Sequence, residues 1–175
     1  MEDIDNRWAL LKAGDKESFE FVYNQYYADL VSYAGRFGND PNFTDECIQD
    51  LFVKIWQNRA GLGYPDSIKF YLFKALKHIV YNKKNVSSKE VHIGLLADFS
   101  DFDISSQETT EHALAEEVSR LLTSLTDRQR EAIYLFYYQD FGYKEIAEIL
   151  HINVSGAYKL IYRALDVLKS GVSLK

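Results

Sequence analysis

Tyr143-Lys-Glu-Ile-Ala-Glu-Ile-Leu-His-Ile-Asn-Val-Ser-Gly-Ala-Tyr-Lys-Leu-Ile-Tyr-Arg-Ala-Leu165 carries apolar residues at helical spacing on both sides of three residues, His151-Ile152-Asn153. A connection that short makes two helices cross steeply and pack closely. Ala147 is small where the second helix must approach, and Ile146, Leu150, Ile152, Ala157, Ile161 and Leu165 supply a shared core. Asn153 suits the N-cap of the second helix, because its side-chain oxygen can accept an otherwise unpaired backbone N–H. Ser155, Gly156, Tyr158, Lys159, Tyr162 and Arg163 then face outward, with Asn153 at the tip. This is the surface a helix offers to the DNA major groove. An ordinary α-hairpin is the plainer reading of the same pattern.

Working outward, the last 50 residues read as three helices, about Asp127–Gln139, Tyr143–Leu150 and Val154–Ser170. Helical spacing resumes before them at Leu114, Val118, Leu121/Leu122 and Leu125. Residues 86–110 lose periodicity and gain Asp and Ser, the signature of a linker. Before it lie four helical stretches. The first runs from Ile4 to Lys12 with Trp8 and Leu11 inward. Gly14-Asp15 breaks it, Asp15 capping the next, whose apolar residues run from Phe19 to Phe37 and which ends at Gly38-Asn39-Asp40-Pro41. A third covers about Asp45–Asn58, with Asp45 and Glu46 in its first turn complementing the helix dipole. After the loop Gly61-Leu62-Gly63-Tyr64-Pro65, a fourth covers about Ser67–Lys84. The expected fold class is all-α: two small helical domains (1–89 and 113–175) joined by a flexible acidic linker (90–112), the second containing the helix-turn-helix.

Composition narrows the function classes. The chain has 175 residues, 47% hydrophobic, with 13 Tyr, 11 Phe and 2 Trp, enough bulk for two small cores. A single cysteine, Cys47, excludes an internal disulfide and fits a reducing compartment. No apolar run approaches the roughly 20 residues that span a bilayer. The acidic start Met1-Glu2-Asp3-Ile4-Asp5 lacks the basic beginning of a signal peptide, so a cytoplasmic location is expected. The net charge of -6 argues against a nucleic-acid partner until it is mapped. Residues 1–89 carry 12 basic and 12 acidic side chains, residues 90–124 one against eight, and residues 125–175 seven against six. The acidity is concentrated in the linker. From Ser67 to Lys89 the chain holds Lys69, Lys74, Lys77, Lys83, Lys84 and Lys89 and no acid.

A basic helix following an aromatic loop suits single-stranded nucleic acid, with bases stacked or pocketed while lysines hold phosphates. A solvated helix face is the alternative. Glu108, Glu111, His112 and Glu116 have metal-compatible spacing, but their acidic setting without a second histidine favours a solvated face. His78, His92 and His151 are scattered. No phosphate-binding glycine loop or nucleophile elbow occurs, so neither catalytic residues nor a cofactor are expected.

These residues resemble the extracytoplasmic-function sigma factors of the sigma-70 family. Phe19-Glu-Phe-Val-Tyr-Asn-Gln-Tyr-Tyr27 is similar to the opening helix of sigma region two, and Asp45-Glu-Cys-Ile-Gln-Asp-Leu-Phe-Val-Lys-Ile-Trp56 to its second helix. Tyr71-Leu-Phe-Lys-Ala-Leu-Lys-His78, running on to Lys83-Lys84, is similar to its DNA-facing helix. Leu125-Thr-Asp-Arg-Gln-Arg-Glu131 and the helix-turn-helix resemble region four. The resemblance implies that Glu46, Gln49, Asp50 and Trp56 serve docking to the β′ clamp helices of core RNA polymerase. It implies that the segment from Asn58 and Arg59 through Tyr64 to Ser67, with Lys69, Lys74, Lys77, Lys83 and Lys84, engages the promoter minus-ten element as strands separate. The helix from Asn153 would read the minus-thirty-five element, with region four also touching the β flap. An anti-sigma factor is a further implied partner. His151 stands where the family often has Gly, and Tyr158 where a basic residue is common. The alternatives are a DNA-binding regulator that never touches polymerase, and a helical enzyme or metal protein built on Glu108–Glu116.

Overall fold

The computed structural model describes residues 4–38, 40–87 and 120–172, and every element among them is helical. They belong to two compact units, divided near residue 97, each of which is taken by itself.

In the first unit, α1 (Ile4–Ala13) buries Trp8 and Leu11. It ends at Gly14, whose φ of +99° is a left-handed conformation that costs glycine little. Asp15 then caps α2 (Lys16–Gly35), accepting the Ser18 N–H at 2.9 Å. Hydrogen bonding by the Ser18 side chain first, and this backbone hydrogen bond second, hold the Asp15 carboxyl below its ordinary pKa. α3 (Pro41–Asn58) starts four residues before the expected Asp45. Pro41 opens this helix rather than merely ending the previous one. It occupies the first helical turn, where its missing N–H costs nothing, and Asp40 caps by accepting the Asn42 N–H at 3.0 Å. Asp45 and Glu46 therefore fall in the second turn, and the dipole argument made for them passes to Asp40. A short 3-10 turn (Arg59–Gly61) leads into the loop 62–66, and α4 (Ile68–Ser87) follows, its first turn capped by the Ser67 hydroxyl, which accepts the Phe70 N–H at 3.1 Å. α4 runs past Lys84, so the loss of periodicity seen from residue 86 begins while the backbone is still helical.

The core of this unit gathers Trp8, Leu11, Leu30, Tyr33, Leu51, Leu72, Phe73 and Leu76, all essentially solvent-free. Each such side chain contributes about 1.5–3 kcal/mol by burial. Tyr33 packs on Phe73 with ring centroids 5.0 Å apart, joining α2 to α4.

In the second unit, residues 120–123 are helical (α5). Leu122 and Leu125 are buried, whereas Leu114 and Val118 lie outside the described residues, as does the Glu108–Glu116 cluster. Thr126 and Gln129 form a reciprocal capping box that starts α6 (Asp127–Tyr137). This helix ends two residues before the expected Gln139, which is buried in the following turn and donates to the Tyr134 hydroxyl at 2.8 Å. α7 (Tyr143–Ile149) and α8 (Val154–Val172) are the two helices of the opening motif. Ile146, Ala147, Ile149, Leu150, Ala157, Ile161 and Ala164 are buried with Ala132, Ile133 and Leu135 of α6.

Candidate nucleic-acid interface

The turn between α7 and α8 is fixed from several directions. The Ile152 N–H donates to the Ala147 carbonyl at 2.9 Å. The Arg128 guanidinium donates to the Leu150 carbonyl at 3.0 Å, so α6 reaches across to the end of α7. His151 adopts φ +52°, a left-handed value uncommon for a side-chain-bearing residue but commoner for His than for most. Asn153 caps α8, its Oδ1 accepting the Gly156 N–H at 2.6 Å. Its side chain thus serves the helix start. Ser155, Tyr158, Lys159, Tyr162 and Arg163 are exposed on α8, and Gly156 is half-buried beside the cap. Tyr158 stacks on Tyr143 of α7 with centroids 3.7 Å apart and planes 15° from parallel, an unusually stiff setting for an exposed ring.

In the first unit the expected site residues divide into two groups. Glu46, Gln49 and Asp50 lie along α3, Glu46 and Gln49 exposed and Asp50 half-buried. Beside them an open groove of about 800 Å³ runs between α2 and α3, lined by Phe19, Tyr23, Gln49, Phe52, Val53 and Trp56. Trp56 is fixed edge-on against Phe19 at 5.1 Å, with the Arg59 guanidinium 4.5 Å from its ring. Arg59 also donates to the Trp56 carbonyl at 2.8 Å, and the Asn58 amide donates to the Lys54 carbonyl at 2.8 Å, so both close the end of α3.

The lysines of α4 do not form the acid-free strip that their run in the sequence suggests. Lys83 sits 3.1 Å from Asp50 and 3.2 Å from Glu46, and these hydrogen bonds, that to Asp50 foremost, raise its pKa. Lys69 lies 4.0 Å from Asp29. The acids come from α3 and α2, beside α4 in space and distant in sequence. Lys77 lies 4.2 Å from the centre of the Phe37 ring and Lys84 5.8 Å from it, while Lys74 lies 5.6 Å from that of Phe70. Tyr64 projects from the loop 62–66 with 71% of its surface exposed, and the Lys12 ammonium stands 3.6 Å from its ring centre. The loop backbone is tied down by the Trp8 indole N–H, which donates to the Gly63 carbonyl at 3.0 Å.

Two family models match, Sigma-70 region 2 over residues 22–85 and Sigma-70, region 4 over residues 115–168. Together they account for two thirds of the chain, in the order of the two units. The chain belongs to the sigma-70 family. It is an alternative sigma factor of the extracytoplasmic-function group, binding core RNA polymerase and promoter DNA and directing transcription initiation. Among curated relatives it is 28% identical to an extracytoplasmic-function sigma factor SigK of Mycolicibacterium vanbaalenii, over 81% of this chain and 74% of that one. It is 25% identical to the sigma factor YlaC of Bacillus subtilis, over 90% of this chain and 94% of that one. A solved sigma factor from Bartonella quintana, RpoE in complex with the anti-sigma factor NepR, shares the fold at 19% identity and a TM-score of 0.68, covering 91% of this chain and 99% of that one. The sigma-70 family is not a family of enzymes. Among the described residues of this sigma factor, no helix is long and apolar enough to cross a membrane.

The structure also brings forward residues that the sequence pattern does not single out for the site: Tyr143, Arg128, Trp8 and Lys12. Tyr143 opens the motif itself, yet nothing in its spacing marks it as the partner of Tyr158. Trp8 and Gly63 are 55 residues apart, beyond any local rule.

Proposed function

We propose that residues 1–89 and 113–175 divide the work of this sigma factor, the first docking on polymerase and opening the minus-ten element, the second reading the minus-thirty-five element. The observation that carries this reading is the α7–α8 pair, whose capped second helix displays Ser155, Tyr158, Lys159, Tyr162 and Arg163 on one exposed face. Glu46, Gln49, Asp50 and the groove around Trp56 are the polymerase side, suited to the β′ clamp helices by their mixture of aromatic wall and carboxylate rim. The loop 62–66 and Lys74, Lys77 and Lys84 are the side that holds the opened strand. Lys83 moves from the DNA set to the polymerase set, because its ammonium is already shared between Glu46 and Asp50. Region four also touches the β flap.

The protein performs no bond chemistry of its own; polymerase makes the RNA, and the site of action is the cytoplasm. An anti-sigma factor is a further partner, a reading supported by the Bartonella protein being in complex with one, and the α2–α3 groove is the surface proposed for it to cover. Co-elution of the full chain with bacterial core RNA polymerase tests the assignment. A stoichiometric complex is expected, and absence of binding by folded protein to competent core would leave a stand-alone DNA-binding regulator. Lys74→Glu with Lys77→Glu is expected to weaken promoter-complex formation while core binding persists. An unchanged open-complex yield would remove these lysines from the DNA side.

A further inference from the structure

α1 lies outside the residues matched by the region 2 family model, which begins at residue 22. It is nevertheless built into the loop that stands before α4. Trp8 is 1% exposed, its ring edge lies against Tyr71 of α4 at 5.6 Å, and its indole N–H reaches the Gly63 carbonyl. One turn along the same face, Lys12 sets its ammonium over the Tyr64 ring while leaving that ring largely exposed. α1 is itself anchored: Leu11 is fully buried, the Asp15 N–H donates to the Leu10 carbonyl at 3.0 Å, and the Arg7 guanidinium lies 5.1 Å from the Phe21 ring centre. A loop that contains Gly63 and follows Gly61 has many conformations open to it, and any ligand that needs one of them binds in proportion to its population. Two side chains of α1 grip adjacent loop residues, one by backbone and one by ring.

We infer that α1 is part of the minus-ten reader, with Trp8 and Lys12 as positioning residues that hold the loop 62–66 in the form that receives an unpaired promoter base. This rests on the assignment of that loop to the minus-ten element made above. The two residues act by different chemistry, a hydrogen bond to a carbonyl and a cation over an aromatic face, so each can be removed without the other. Trp8→Phe keeps an aromatic ring against Tyr71 and deletes only the donor. Lys12→Gln deletes the cation, and Lys12→Arg restores one.

The test uses the full chain reconstituted with bacterial core RNA polymerase. The probe is a single-stranded deoxyoligonucleotide recovered from a random pool by the wild-type complex. Trp8→Phe is expected to weaken capture about fivefold, the net worth of the one hydrogen bond that ties down the exposed Gly63. Lys12→Gln is expected to weaken it about threefold, and Lys12→Arg to return it to the wild-type value. Core binding should be unchanged in all three. Tyr64→Ala separates the two levels of the argument. If it weakens capture while Trp8→Phe and Lys12→Gln do not, the role of α1 is overturned and the loop assignment stands. If Tyr64→Ala is also without effect, the loop assignment fails and the inference falls with it. A parallel loss of core binding in both α1 variants would make α1 merely structural and overturn the inference. Should Trp8→Phe fail to fold, the pair at Lys12 decides, because that half-exposed side chain contributes nothing to the core.

Discussion

Replacing Lys83 by Ala should leave the salt dependence of promoter binding almost unchanged, whereas Lys74→Ala or Lys77→Ala should flatten it. A lysine that neutralises a phosphate of duplex DNA releases a condensed counterion and contributes about 0.9 to the slope of log K against log salt, or about 0.7 on a single strand. Lys83 lies between two carboxylates. Its ammonium is held 3.1 Å from Asp50 and 3.2 Å from Glu46, with about a quarter of the side chain exposed. To reach a phosphate it would exchange two carboxylates for one anion, leaving both acids unpaired on α3. Each of these half-exposed pairs is worth no more than about 1 kcal/mol, so the exchange is not forbidden, but it gains little. The expected change in slope for Lys83→Ala is therefore well under half that for Lys74→Ala. The assay is equilibrium binding of the reconstituted holoenzyme to a promoter duplex across roughly 50–200 mM KCl, the range over which phosphate contacts cost most. The same substitution should instead show in competition for core polymerase, because Glu46 and Asp50 lose the cation between them. A flattening by about 0.9 at Lys83 would refute this reasoning and return the residue to the DNA side. An unaltered slope at both Lys74 and Lys77 would remove α4 from phosphate binding.

Asp50→Ala with Gln49→Ala should weaken binding to core polymerase, while single-strand capture is intact once core is raised to restore the full complex, and unaltered competition for core would refute it. Gly156→Ala should by itself be close to neutral. The better helix propensity stabilises by about 1 kcal/mol, but the new Cβ comes 3.1 Å from the capping oxygen of Asn153. In an Asn153→Ala background the full gain of about 1 kcal/mol should appear, and Asn153→Ala alone should cost about 1 kcal/mol. Urea unfolding followed by circular dichroism measures this cycle. Tryptophan fluorescence supplies an internal control, since Trp8 and Trp56 both belong to the first unit; absence of coupling between the two sites would refute the cap. The Asp15 cap predicts a sign in pH. Its carboxyl lies below the ordinary 3.8 in the folded chain, so its contribution is complete above that value and disappears as pH falls through the lowered one. The stability difference between wild type and Asp15→Asn should be constant near neutrality and shrink only on acidification, and a difference varying between pH 6 and pH 8 would contradict the assignment.

Much of the molecule is legible from local rules. The helical periods place seven of the helices, because each depends on an apolar stripe that the chain itself spells out. The Gly14-Asp15 break and the Asn153 cap follow from single-residue conformational preferences, and the short turn at His151 from the apolar spacing on either side of it. Pro41 shows the limit of this reasoning. A proline both stops one helix and opens the next, and only the Asp40 cap, seen in place, decides that α3 begins there. The exposed face of α8 was legible for the same reason as its core, since period alone assigns one residue inward and its neighbour outward.

What the tertiary structure decided are the partners. Charge read along the chain made 67–89 an uninterrupted basic run, but electrostatics acts through space, and packing α4 on α3 and α2 sets Asp50, Glu46 and Asp29 beside two of its lysines. The grip of Trp8 and Lys12 on the loop joins residues more than 50 positions apart, and the Tyr143–Tyr158 stack depends on how steeply α7 and α8 cross. Sequence alone determined which helices exist, which faces they hide and which family they belong to. Which charged and aromatic groups meet was settled only by folding, because an interaction that falls off over a few ångströms is governed by where the helices pack and not by the count of residues between them.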